Sequence, residues 1–260
     1  MGIKTAITQN GLPLKYQSFK LIETEDGVNH SVYLLDDKYV LKLLENTEVE
    51  IIENEQKLLN TLKALSVPQI VDIFTTELYY MVFYTQVSGK SICTPKIQHI
   101  EQIASFLKEF HSISKNLHST NEKIYTNEYF LKLIQQANYP ILTNYFNIID
   151  CKLKNDGIIH GDLFCDNAKF TDDTLSGVYD FVEASQGDFI FELAVVCISW
   201  CFDGDILNKE KVKSLLKNYQ SNISFENFLV YIKYALLYYA TQRYLHNRDY
   251  NALLIKLENV

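Results

Sequence analysis

Arginine is nearly missing from this chain: only Arg243 and Arg248 carry a guanidinium among 24 basic residues, against 32 acidic ones. The net charge of −8 disfavours a nucleic-acid partner or a polybasic hold on a membrane, since both need a surface excess of cations. Glycine is sparse, at nine, and no GxGxxG occurs, so a dinucleotide fold has no support. Gly89-Lys90-Ser91 imitates the tail of a phosphate-binding P-loop, but Tyr84 stands where that motif requires its first glycine. The five cysteines, Cys93, Cys151, Cys165, Cys197 and Cys201, are odd in number and form no CxxC pair. With no signal peptide ahead of them, reduced thiols and a cytoplasmic location are expected. Cys197 and Cys201 would share a helix face, yet no histidine lies beside them at zinc-ligand spacing, which points to core packing. The longest apolar run, residues 193–202, is about half of the ~20 residues needed to cross a bilayer.

What is present is apolar surface, 47% of 260 residues, enough to offset the ordering entropy of one large core or two smaller ones. Residues 16–45 run in Val, Tyr, Leu and Phe, broken at Glu25-Asp26-Gly27 and at Asp36-Asp37, and predict a three-stranded meander. Ile51, Ile52, Leu58, Leu59, Leu62 and Leu65 recur at helical spacing, and Pro68 follows them, predicting a helix over 48–65. Strand-like segments follow at 70–74 and 78–84. Beyond a break at residues 87–90 helices dominate, at 97–114, 127–136, 190–200, 209–219 and 226–246. Short β-like pieces interrupt them around 158–159, 168–170 and 178–179, with a polar turn at 171–174. The expectation is an α+β chain of two lobes, 1–86 and 87–260, the first a five-stranded antiparallel sheet with one helix, the second mainly helical with an embedded β-hairpin.

Chemistry concentrates in that hairpin. His160-Gly161-Asp162-Leu163-Phe164-Cys165-Asp166-Asn167 is followed by Gly177-Val178-Tyr179-Asp180-Phe181. Asp162, Asn167 and Asp180 supply oxygens at one hairpin mouth, the outline of a magnesium and hydroxyl site. Taken singly, each has an ordinary structural use as a turn cap, a loop tie or a strand end. Two further residues weigh against that use: Lys42, flanked by Val40, Leu41, Leu43 and Leu44, and Glu55 in the next helix. An ammonium on a strand made for burial requires an anion, and Glu55 is the expected one.

The set Lys42, Glu55, His160-Gly161-Asp162 with Asn167, and Asp180 resembles the protein-kinase-like phosphotransferases of the aminoglycoside phosphotransferase and choline kinase group, whose loop reads H-G-D-x-x-x-x-N. The resemblance implies a protein-kinase-like fold, ATP or GTP and Mg2+ as cofactors, and a small-molecule alcohol as acceptor. Asp162 would be the catalytic base, Asn167 and Asp180 the magnesium ligands, Lys42 the α/β-phosphate contact and Glu55 its helical partner. Within the group, Ile158 to Phe164, Asp166-Asn167, Leu175 to Val178, Asp180-Phe181 and Trp200 to Asp203 are most similar to the homoserine kinases of this fold. Gly27 to Leu35 is similar to their nucleotide-loop region, which makes Ser31 a nucleotide-binding candidate, and Gln242 to Leu245 to their closing helix. Cys165 departs from a common arginine, Glu192 from an expected aspartate before Leu193-Ala194.

A free aspartate titrates near ~3.9, far below an alcohol, so Asp162 would orient the hydroxyl and take its proton late. Fewer than ten residues separate Asp180 from the helix expected near Ile190, too few for the long segment that displays a protein substrate. Homoserine would need a cation for its carboxylate, for which Arg243 is a candidate, and acidic oxygens for its amine, from Glu183 or Asp203. Surface ion pairing is an equal or better use of all three. An aminoglycoside would want a broad acidic cleft, from Glu183, Asp188, Asp203 and Asp205. Choline would want an aromatic cage, for which Trp200 and the 18 tyrosines are available. A non-catalytic nucleotide-binding protein of the same fold is the remaining alternative. His111 is expected in the core, and His160 as a brace of the loop.

Overall fold

The computed structural model describes residues 3–24 and 30–260. The expected turn at Glu25-Asp26-Gly27 and the similar stretch Gly27 to Asn29 lie outside them. The described chain divides into two compact units, residues 1–89 with 176–182, and residues 90–175 with 183–260. The return of 176–182 to the first unit assigns Asp180 to the same unit as Lys42.

In the first unit β1 (Leu21–Glu23), β2 (Ser31–Leu35) and β3 (Tyr39–Glu45) form the expected meander; α1 (Val49–Thr61) precedes β4 (Ile70–Thr75) and β5 (Tyr79–Thr85). The sheet is antiparallel, in the order β1-β2-β3-β5-β4. Alternation along each strand sorts its side chains onto two faces. One face carries Tyr33, Leu35, Leu41, Leu43, Met81 and Phe83, all buried, and the segment before β1 covers it with Leu12 and Tyr16. The Tyr16 ring stacks on Phe83 at 3.8 Å. The other face carries Lys42, Leu44, Val82 and Tyr84. Lys42 lies opposite Val82 and Val40 opposite Tyr84, so Lys42 and Tyr84 are diagonal neighbours. On α1 the buried positions are Ile52, Glu55, Leu58 and Leu59, one helical stripe with a carboxylate inside it.

The second unit begins with α2 (Ile97–Ser114), α3 (Asn127–Ala137), α4 (Pro140–Ile148), β6 (Gly157–Ile159), β7 (Ala168–Thr171), β8 (Thr174–Val178, which runs into the returning segment) and β9 (Ser185–Gly187). It ends with α5 (Phe189–Trp200), β10 (Phe202–Asp203), β11 (Ile206–Leu207), α6 (Lys209–Tyr219), α7 (Phe225–Leu245) and α8 (Asn251–Glu258). Its core is α5, apolar on every side and packed against α7, α6 and α2. Helix starts follow side-chain caps: Thr126, Asp188, Asn208 and Ser224 each accept backbone N–H groups at the start of α3, α5, α6 and α7. β7 and β8 pair as a hairpin turned by Asp172 and Asp173, both at positive φ (48° and 61°), a backbone state that Asp tolerates better than most residues. Helices α4 and α8 were not anticipated. Both are short and neither has a side-chain cap, although Pro140 stands at the first position of α4, where proline favours a helix start.

Candidate active site

Lys42 is buried, 9% exposed, and its Nζ donates to Asp180 Oδ1 at 2.7 Å. Burial alone would lower its pKa, but the negative charges of Asp180 and Glu55 outweigh that, so the ammonium is held more firmly than usual. Nζ also stands 5.5 Å over the Tyr84 ring. The expected direct partner, Glu55, acts on Lys42 through charge. Its hydrogen bonds come from Tyr84 Oη at 2.7 Å and from the backbone N–H of Phe181. Burial pushes the Glu55 carboxyl up to about 7, opposed by Lys42 and by those two donors. Tyr84, which the sequence reading overlooked, is thereby joined to both charged groups. No periodicity marks it, because a tyrosine on a buried strand face reads as core.

Asp180 has a backbone φ of 71°, the left-handed region that a non-glycine residue enters at a cost. Its carboxylate is 42% exposed while it holds Lys42. His30 lies in the same electrostatic neighbourhood: burial and the positive charge of Lys42 lower its pKa, opposed by Glu45 and Asp180. Ser31 does not join this group. Its fully buried Oγ accepts from the N–H of Lys4 and of Thr5, each at 2.8 Å, and donates to Glu45 Oε1 at 3.4 Å. One donor and two acceptor sites exhaust a hydroxyl, so Ser31 ties the N-terminal segment to the sheet and has nothing left for a nucleotide.

In the second unit, the loop from His160 to Asn167 is tied down at nearly every residue. Asn167 Nδ2 donates to the Asp162 carbonyl at 2.7 Å and to its Oδ2 at 3.1 Å. His160, fully buried, accepts the Asp162 N–H on Nδ1 at 3.2 Å and so braces the loop. Helix α5 supplies three more ties: Glu192 Oε1 accepts the Gly161 N–H at 2.9 Å, Ser199 Oγ accepts the Cys165 N–H at 2.9 Å, and Trp200 Nε1 donates to the Leu163 carbonyl at 3.0 Å. Gly161 adopts φ 77°, and a Cβ there would fall 2.1 Å from the Tyr125 hydroxyl, so only glycine fits. Tyr239 donates to the Gly161 carbonyl. Cys165, where the resemblance expects arginine, turns its thiol to the Ser199 carbonyl; burial pushes the thiol up to about 12, which leaves it unreactive.

The remaining candidates separate. Glu183 is exposed, and its negative charge, like that of Asp162, adds to the effect of burial in raising the pKa of the Tyr125 and Tyr239 phenols. Asp203 is committed to Lys211 at 2.5 Å and to Asn208 at 2.7 Å beside the β10–β11 hairpin. Arg243 reaches the Asp249 carbonyl at 3.4 Å. Asp188 is fully buried, capping α5 through the N–H groups of Ile190 and Phe191 and holding that of Lys154, so it lines no acidic cleft. Trp200 is fully buried and forms no cage wall. Among the described residues, no three His, Cys, Asp or Glu side chains gather as a metal site. Also among the described residues, no helix is long and apolar enough to cross a membrane.

A curated homoserine kinase from Azorhizobium caulinodans is 48% identical over 66 residues, 25% of this chain and 21% of that enzyme, so the chain spans about a fifth of that relative's length. A streptomycin–ATP–APH(2")-IIa ternary complex superposes with a TM-score of 0.63 at 17% identity, covering 94% of this chain and 92% of the other. Choline kinase LicA from Streptococcus pneumoniae gives a TM-score of 0.63 at 15% identity, covering 93% and 94%. These two likenesses show a protein-kinase-like fold. The family model described as the phosphotransferase enzyme family (APH) matches residues 20–220, most of both units, with Lys42, Glu55, Asp162, Asn167 and Asp180 among them, and the chain belongs to that family.

Proposed function

We propose that this phosphotransferase is an ATP-dependent small-molecule kinase that transfers the γ-phosphoryl group to an alcohol hydroxyl, with homoserine as acceptor. The observation that carries the kinase reading is the Asp162 loop, whose carboxylate is braced by Asn167 and whose backbone is fixed by His160 and by α5. Phosphoryl transfer has a loose transition state, so the protein's work is alignment and charge neutralisation. Asp162 orients the acceptor hydroxyl and takes its proton late. Lys42, held cationic by Asp180 and Glu55, contacts the α- and β-phosphates. Asn167 and Asp180 each carry a side-chain oxygen of the kind a hard cation takes, and Mg2+ would supply neutralisation of phosphate charge. Glu183, exposed and acting by charge on the same tyrosines as Asp162, is the carboxylate for a substrate ammonium. Asp203 takes no part, because Lys211 and Asn208 hold its carboxylate.

Homoserine as acceptor is supported by the curated relative, over its matched quarter of the chain. The APH(2")-IIa and LicA neighbours favour aminoglycosides and choline as second readings, and ATP as donor. The test is magnesium-dependent ADP release with homoserine, choline, ethanolamine or a kanamycin-type sugar. Homoserine alone should stimulate it. Asp162→Asn should lower turnover by about 10²- to 10⁴-fold with nucleotide affinity within about twofold. Stimulation by the sugar but not by homoserine would replace the acceptor; thermal stabilisation by ATP without stimulation by any alcohol would favour a binding protein.

A further inference from the structure

Two polar atoms of the first unit are buried and hydrogen-bonded to nothing among the described residues: Nδ1 of His30, just before β2, and Oε2 of Glu45, at the end of β3. They face each other at 3.5 Å, beyond the about 2.7–3.2 Å of a normal N–H···O bond. A folded chain pairs nearly all such groups, so an open pair at this spacing calls for a reason. The other Glu45 oxygen is in use, since Oε1 accepts from Ser31 Oγ at 3.4 Å. Two further charges act on the imidazole: the Lys42 ammonium and the Asp180 carboxylate, themselves joined at 2.7 Å. Burial and the ammonium oppose a positive charge on His30, while Glu45 and Asp180 favour one. In the protein alone the first two prevail, so the imidazole is neutral near pH 7. A triphosphate on Lys42 cancels the ammonium's field and adds negative charge of its own, which reverses that balance. An imidazolium has two N–H donors, one for the open Glu45 oxygen and one to spare.

We propose that His30 is a nucleotide-binding residue that takes a proton from solvent as the triphosphate binds, its Nδ1–H donating to Glu45 and its Nε2–H to a phosphate oxygen. This rests on Lys42 being the phosphate contact. Water or buffer supplies the proton, and no bond forms besides the new N–H. A hydrogen bond from a charged donor to an anion is about twice as strong as a neutral one, so the proton strengthens the grip on the nucleotide and makes that grip depend on pH.

The probe is the β,γ-imido analogue of ATP with Mg2+, which binds without turnover, and the proteins are the parent, His30→Gln, Glu45→Gln and Lys42→Met. Calorimetric titrations at pH 7 in buffers of different ionisation enthalpy count the protons taken up. NMR shifts of the ring nitrogens, assigned through the His30 backbone, report the charge on that imidazole. The parent should take up about half a proton or more per nucleotide beyond what His30→Gln takes up, with ring shifts moving to those of imidazolium. His30→Gln should bind about tenfold more weakly at pH 7. From pH 7 to 8 the parent's advantage should shrink by about threefold or more. Glu45→Gln keeps an acceptor for Ser31 and should take up fewer protons than the parent. Equal uptake by the parent and His30→Gln, or ring shifts that stay those of neutral imidazole, would overturn the proposal. If His30→Gln fails to fold, the ring shifts of the parent decide. Lys42→Met separates the two claims. If it binds the analogue as tightly as the parent, or the parent binds none, the phosphate contact at Lys42 fails; if it binds weakly while His30 of the parent stays neutral, only the role of His30 fails.

Discussion

Replacing Glu55 by glutamine should change how stability depends on pH. The carboxyl is 3% exposed on the buried stripe of α1 and is raised from 4.5 to about 7, mainly by burial. A folded-state pKa above the unfolded one means that the native protein binds more protons than the unfolded chain between those values. The associated stability is present below pH 4.5 and is lost as pH rises through 7. At roughly 1.4 kcal/mol per pH unit, the rise amounts to about 3 kcal/mol. Glutamine keeps the shape and an acceptor for Tyr84 but does not titrate. Urea unfolding at pH 5, 6, 7 and 8 should therefore show the two proteins close together at pH 5, with Glu55→Gln more stable than the parent by about 3 kcal/mol at pH 8. Parallel pH profiles, or a parent that gains on the variant toward pH 8, would refute a Glu55 destabilised by burial beside Lys42.

Two further outcomes follow from the first unit. Lys42→Met should cut kcat/KM for the nucleotide by about 10²-fold or more, a loss of about 3 kcal/mol or more of transition-state stabilisation. Because Asp180 is 42% exposed, its loss of a partner should lower stability by only about 1 kcal/mol, which steady-state kinetics and denaturation would separate. Ser31→Ala leaves the N–H groups of Lys4 and Thr5 without their acceptor and should lower stability by about 1–3 kcal/mol, with nucleotide KM within about twofold. A large rise in KM would return Ser31 to the nucleotide site.

Local pattern was enough for most of the framework. Alternation along β2, β3 and β5 places Leu41 and Leu43 on one face and Lys42 on the other, because the pleat allows no other arrangement. Ile52, Leu58 and Leu59 fix the inward face of α1, and Glu55 falls on it by the same count. The H-G-D-x-x-x-x-N spacing identifies the Asp162 loop, since its residues are close in sequence. Partnership across long separations is invisible to periodicity. Lys42 finds Asp180, 138 residues away, as its hydrogen-bonded partner, while Tyr84 takes Glu55. Asp188, legible as one more acidic residue, proves to be a buried helix cap, and Ser31 proves to be a strap for the N-terminal segment. Glu192 and His111, 81 residues apart, read singly as core oddities. Folding decided these pairings, because a buried polar group takes whatever complementary partner the packed helices and strands bring within reach, and chain order does not record which one that is.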